Sequence, residues 1–139
     1  MSDMLDAGRQ ILAQQPFSVL LGAELSRFEA GLAELIIPLR HELTQQHGFA
    51  HGGVVSYAVD NALTYAGGSV LGNCLTAEFK ISYVRPSIGD KLIARAQVLY
   101  AGKNQATCRC DVFAVRDGKE TLTATALGTI VKVADAANG

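Results

Sequence analysis

The chain has 139 residues, 49% of them hydrophobic, with 13 acidic and 12 basic side chains and a formal net charge of -1. That length allows one cored domain, expected to span residues 1–139, and is too short for two of ordinary size. Charges this balanced, with no basic cluster, give no electrostatic reason to expect nucleic acid or a membrane surface, which leaves a small molecule or another copy of the chain as partner.

In chain order, apolar side chains at Met4, Leu5, Ile11 and Leu12 form a helical stripe, and Pro16 restricts the residue before it, so an amphipathic helix is expected over about 3–15. The N-terminus has neither a basic region nor a long apolar core, so it does not read as a secretory signal. No segment approaches the ~20 apolar residues of a membrane span. Residues 20–28 and 32–38 are short apolar-rich runs around Glu29-Ala30-Gly31, which predicts two antiparallel strands and a tight turn.

The loop over 39–51 is polar and rich in Gln and His. After it, residues 53–66 have helix length and alanine content without strand alternation, and a central helix is expected there. Its polar side chains, Ser56, Asp60 and Thr64, recur every four residues and form one stripe on an otherwise apolar cylinder. Such a helix must be wrapped. Residues 75–84, 91–100, 105–116 and 120–133 have strand composition and alternation. Turn signals at 85–90, 101–104 and Asp117-Gly118 separate them, so an antiparallel meander is predicted, with a frayed tail over 134–139.

The composite is an α+β fold, a curved antiparallel sheet around a long central helix. One helix cannot cover that sheet fully, and apolar edge strands need pairing, so a symmetric dimer with the sheet continued across subunits is expected. Three cysteines are an odd number, and Cys108 and Cys110 fall on one strand face, which disfavours a disulfide and suits a reducing cytoplasm.

The chemistry concentrates in Gln45-Gln46-His47-Gly48-Phe49-Ala50-His51-Gly52-Gly53 and in Asp60. Glycines opening a helix present bare N–H groups at the positive end of the dipole, a site for an anion or a developing oxyanion, and they let a ligand carbonyl approach the backbone. Asp60 stands among Ala58, Val59, Ala62 and Leu63; the desolvation expected there makes a carboxylate a better base. The alternative is a structural acid bonded to Ser56 or Thr64. Gly52 and Asp60 are roughly 12 Å apart by the helical rise. One chain's aspartate therefore does not reach its own oxyanion donor, and a site using both is shared across a dimer interface.

His41, His47 and His51 invite a metal, but their spacings match no compact ligand motif, and Cys108-Arg109-Cys110 offers only two thiolates. No metal is expected. No serine or cysteine stands in a nucleophile-elbow pattern.

Gln45-x-x-Gly48-x-x-His51-Gly52-Gly53, Asp60-Asn61, Thr76-Ala77-Glu78-Phe79 and Tyr83-Val84-Arg85-Pro86 together resemble the hotdog-fold acyl-CoA thioesterases of the phenylacetate (PaaI) type. The resemblance covers roughly residues 15–133. It implies a helix held in a curved sheet, subunits paired through their sheets as homodimers and as dimers of dimers, and sites at the dimer interface. It implies Asp60 as general base, or less directly as nucleophile, and the Gly52 N–H as oxyanion donor. His51 would shape the helix start. Gln45, where relatives carry asparagine, would orient water or thioester, and Thr76 would position the water. Gly53, Phe49 and Tyr83 would line the substrate pocket, with Arg85 and Lys103 on coenzyme A phosphates. No cofactor is implied, coenzyme A being part of the acyl-CoA substrate. Two other functions fit the same residues: a non-catalytic acyl-CoA sensor, and a 3-hydroxyacyl thioester dehydratase using His51.

Overall fold

The structure, a computed structural model, describes residues 3–134; residues 135–139, most of the expected frayed tail, lie outside the described residues. The first helix, α1, covers Asp3–Ala13, and a second, α2, covers Pro16–Leu21. The strand expected from residue 20 is thus a helix at its start. Proline at the first helical position has its φ set for the helix and needs no N–H partner, and Gly22 closes the turn in the left-handed conformation, φ 73°, its N–H bonded to the Ser18 and Val19 carbonyls.

Strands β1, Glu24–Glu29, and β2, Leu32–Pro38, form the expected hairpin. A single 3₁₀ turn, His41–Leu43, follows, and then α3, Gly52–Leu71, five residues longer than the predicted end at 66. Gly67 and Gly68 do not stop it. A Cβ at Gly67 would lie 2.7 Å from the Ile130 side chain, so glycine is there because helix and sheet touch. Only at Gly72, φ 83°, does the helix end.

Four strands complete the chain: β3, Cys74–Tyr83; β4, Lys91–Ala101; β5, Gln105–Arg116; and β6, Lys119–Lys132. All pair antiparallel in one sheet of order β1-β2-β4-β5-β6-β3. The predicted four-strand meander is therefore corrected: β4, β5 and β6 form one, while β3 crosses to the far edge beside β6. The connection carries Pro86, which cannot continue a ladder, and it must pass two intervening strands, roughly 14 Å at the inter-strand spacing. The Asp117-Gly118 turn is a two-residue hairpin as expected, with φ 52° and 76°.

The sheet wraps α3, which touches all six strands. Ala58, Val59, Ala62, Leu63 and Ala66 are fully buried against Leu35, Ile37, Leu92, Val112 and Ile130. Each large aliphatic side chain so enclosed stabilises the fold by about 1.5–3 kcal/mol. The cysteines are free, and Cys108 and Cys110 are core residues. No helix among the described residues is long and apolar enough to cross a membrane.

Candidate active site

The loop before α3 closes on itself. Gly48 has φ 83°, a conformation glycine adopts without strain, and a bridge between Thr44 and Ala50 pins its ends. Gln45 serves this loop first: its Oε1 accepts from the backbone N–H groups of His47, 2.6 Å, and Phe49, 3.3 Å. Only its Nε2 is left for a ligand.

His51 is the N-cap of α3. Its Nδ1 accepts from the Gly53 N–H at 2.8 Å, so Nδ1 carries no proton and is not available as a base. The two glycines thereby separate: the Gly53 N–H points to its own cap, whereas the Gly52 N–H has no hydrogen-bond partner among the described residues. Tyr83 stands over this helix end, its hydroxyl donating to the Gly52 carbonyl at 3.0 Å. Gln45, Phe49, Gly52, Tyr83 and Arg85 line one groove of about 350 Å³. Arg85 is exposed there, with Nη1 on the Leu122 carbonyl at 3.2 Å.

Asp60 lies two turns along α3, half-buried, where the flanking side chains had suggested enclosure. The stripe passes between the apolar face and the sheet edge, so solvent reaches it in the single chain. The Thr76 hydroxyl donates to Asp60 Oδ1 at 2.7 Å, and Thr64 Oγ1 lies 2.6 Å from Thr76 Oγ1 and donates to the Asp60 carbonyl at 2.8 Å. One carboxylate oxygen is held and the other makes no bond among the described residues. Asp60 and Thr76 share a groove of about 460 Å³ with Phe17, Tyr57, Asn61 and Leu75. No residue lines both this groove and the Gly52 groove.

Strand β3 connects the two. Thr76 and Tyr83 are seven residues apart, so a regular strand would point them to opposite faces. The β3–β6 register shifts between Thr76 and Glu78, and this bulge at Ala77 inserts one residue and reverses the alternation. Both side chains then face α3, Thr76 at Asp60 and Tyr83 at Gly52.

Sequence reasoning missed a cluster beside Asp60. Ser18, 1% exposed, donates to Gln15 Oε1 at 2.6 Å and accepts from the Tyr57 hydroxyl; Asn61 Nδ2 donates to Gln15 at 3.2 Å and to Tyr57 at 3.0 Å. Burial pushes the Tyr57 phenol up, keeping it a donor. The serine-to-helix spacing crosses 39 residues, and only a recognised α2 would have exposed it. Lys103 is exposed in the β4–β5 turn, beside the start of β3, at the end of the sheet away from Arg85; one chain does not bring the two together. No group of three or more His, Cys, Asp or Glu residues gathers as metal ligands among the described residues.

The arrangement supplies a positioned carboxylate in one groove and a free N–H at a helix N-terminus in another. A base and an oxyanion donor are what hydrolysis of an activated acyl group needs.

Known proteins carry the same framework. The model of the thioesterase superfamily matches residues 47–121, from the loop before α3 into β6. A thioesterase family protein from Silicibacter pomeroyi is 36% identical, with TM-score 0.85 over 88% of this chain and 93% of its own. YigI of Escherichia coli, a medium/long-chain acyl-CoA thioesterase, is 26% identical over 123 residues, 76% of this chain and 79% of its own. The PaaI protein of the E. coli phenylacetic acid degradation operon shares the fold, with TM-score 0.82 over 93% of this chain and 92% of its own at 20% identity.

Proposed function

Because this chain belongs to the thioesterase superfamily, we propose that it hydrolyses an acyl-CoA thioester to the free acid and coenzyme A, at sites shared by two subunits. The observation that carries the reading is the division of labour along α3: the Gly52 N–H without a partner in one groove, the Thr76-held Asp60 in another.

Two copies of β3 paired antiparallel about a two-fold axis at Lys80, with the extra residue of the Ala77 bulge left unpaired, set Thr76 of one opposite Tyr83 of the other. That symmetry brings each Asp60 groove to the Gly52 groove of the partner subunit. Asp60 takes a proton from water through its unbonded oxygen. The oxygen so activated attacks the thioester carbonyl carbon, and the negative charge passes to the carbonyl oxygen, stabilised by the Gly52 N–H of the partner subunit and the helix dipole. The intermediate then collapses, the C–S bond breaks, and the leaving thiolate recovers the proton from Asp60. Thr76 holds the carboxylate in position throughout. Arg85, in the Gly52 groove, is placed for the phosphates of coenzyme A. The free cysteines suit a reducing compartment.

Release of free thiol from a panel of aryl, short-chain and long-chain acyl-CoAs tests this directly. The Asp60→Asn variant is expected to keep its melting temperature and lose about 10²–10⁴ in kcat/KM. Wild-type turnover by that variant would remove Asp60 as the base. Ligand-induced thermal stabilisation with no thiol release from any member of the panel would favour the sensor reading.

A further inference from the structure

The Asp60 groove does not end at Asp60. Asp60, Thr64, Gly68 and Gly72 recur every four residues on α3, sharing one face over roughly 18 Å by the helical rise. Beyond Thr64 that face carries no side chain. A groove of about 480 Å³ lies over it, lined by Met4, Ile11, Phe28, Tyr65, Gly68 and Cys74 among others. It shares Gln15, Asn61 and Thr64 with the groove of Asp60, so the two form one trough. Its far wall is α1, held in place by the Tyr65 hydroxyl donating to the Gly8 carbonyl at 2.8 Å and by the edge-to-face contact of Phe28 with Tyr65 at 5.2 Å.

The chemistry of this trough is that of a hydrocarbon site. No charged side chain lines its distal part. The hydroxyls that reach it are already bonded: Tyr65 to the Gly8 carbonyl, Ser69 to the Ala66 carbonyl and the Gly31 N–H, Thr64 to the Asp60 carbonyl. The Cys74 thiol, pushed up by burial, stays neutral and lies 3.5 Å from the Thr64 carbonyl. With these groups satisfied internally, the walls favour methylene groups over polar substituents.

We propose that this trough holds the acyl chain of the substrate, a medium to long unbranched aliphatic chain whose thioester carbonyl stands at Asp60 and whose methyl end passes Gly68 towards Met4 and Ile11. The assignment rests on the thioesterase reading for what is attached at the Asp60 end.

The test compares kcat/KM for straight-chain acyl-CoAs of increasing length, butanoyl to hexadecanoyl, in wild type, Gly68→Leu and Ile11→Glu. A Cβ at Gly68 would meet only the Cys74 sulfur, at 3.2 Å, and Ile11 is 53% exposed, so the second variant folds even if the first does not. Dodecanoyl-CoA is expected to lose about tenfold or more in each variant, with butanoyl-CoA nearly unchanged. Equal loss at every length, or an unchanged length profile in both variants, overturns the assignment. Dodecanoate, a product, gives a readout without turnover: it should raise the melting temperature of wild type and raise that of Gly68→Leu less. If no acyl-CoA released thiol while that difference persisted, the hydrolysis reading would fall and the trough would stand. If thiol were released with no length preference and no stabilisation by dodecanoate, the trough would fall and hydrolysis would stand.

Discussion

At one edge of the sheet β1 runs beneath α1, with Gly8 pressed so close that an added Cβ would lie 2.7 Å from Leu25 and Phe28, and with Arg9 Nε donating to the Leu25 carbonyl at 2.9 Å. At the other edge β3 has β6 on one side only, and presents Leu75, 62% exposed, and Tyr83, 53% exposed. The chain thus finishes the first edge with its own helix and leaves the second with unpaired backbone and apolar side chains, the condition that invites another strand. The two proposed half-sites lie along that open edge. On the proposed reading, the edge that looks least finished is where the chemistry is completed.

The comparison breaks most severely if the open edge is made like a protected one. Lysines at Leu75 and Ala77 together should block strand pairing, so sedimentation should find monomers, and thiol release should fall by about 10³-fold or more because neither half-site acts alone. A double variant that stayed dimeric and active would place the interface elsewhere.

A smaller loss is expected from Gly52→Pro. Proline suits the first position of a helix, and His51, at φ -61° and ψ 138°, already has the extended backbone that a following proline requires. The substitution removes the N–H and adds a Cβ at an ordinary 3.6 Å from Tyr83. Turnover should drop about 10²–10³-fold with an unchanged circular dichroism spectrum. Smaller again, Thr76→Val keeps the strand and deletes one charge-assisted bond to Asp60, for about a tenfold fall in kcat; rescue by Thr76→Ser would tie the effect to the hydroxyl.

The smallest effect lies away from the open edge. Arg95 on β4 donates Nε to Glu34 at 2.7 Å and Nη1 to Glu120 at 2.6 Å across the outer face. Burial pushes Glu34 up, but bonds from Arg95 and Ser26 outweigh it and hold its carboxyl below the ordinary 4.5; the Arg95 bond likewise holds Glu120 down. Groups lowered on folding contribute stability that is present above their unfolded value and lost as pH falls through the folded one. Arg95→Gln should therefore lower the unfolding free energy near neutrality, by no more than about 1 kcal/mol for a pair this exposed. The deficit should shrink only as pH falls below about 4.5, where the two carboxylates take up protons, and a pH-independent deficit would assign the effect to packing on Phe113.

Much of this was readable before any fold was known. Alternation places β2, β4, β5 and β6, and alanine content with a four-residue polar stripe places α3. The separation of Gly52 from Asp60 follows from helical rise alone. What stayed hidden has physical reasons. Pro16 reads as a stop from the side of α1 and as a start from the side of α2, and six residues are too few to show a period. Gly67-Gly68 reads as a helix breaker unless the contact with Ile130 is known. The bulge at Ala77 leaves no mark in composition, yet it decides that Thr76 and Tyr83 face the same way. The Gln45 amide, read as a substrate contact, spends its oxygen on its own loop, a fate set by Gly48 bending the chain back.

The central claim, that each site takes its aspartate from one chain and its glycine from the other, is tested most directly by mixing two inactive variants. Asp60→Asn and Gly52→Pro subunits, co-expressed with different affinity tags and purified as the mixed dimer, contain one intact site and one doubly impaired site. The mixed dimer is predicted to recover about half the wild-type turnover per dimer. Turnover no higher than that of either parent homodimer would mean that Asp60 and Gly52 act within one chain, and would contradict the account.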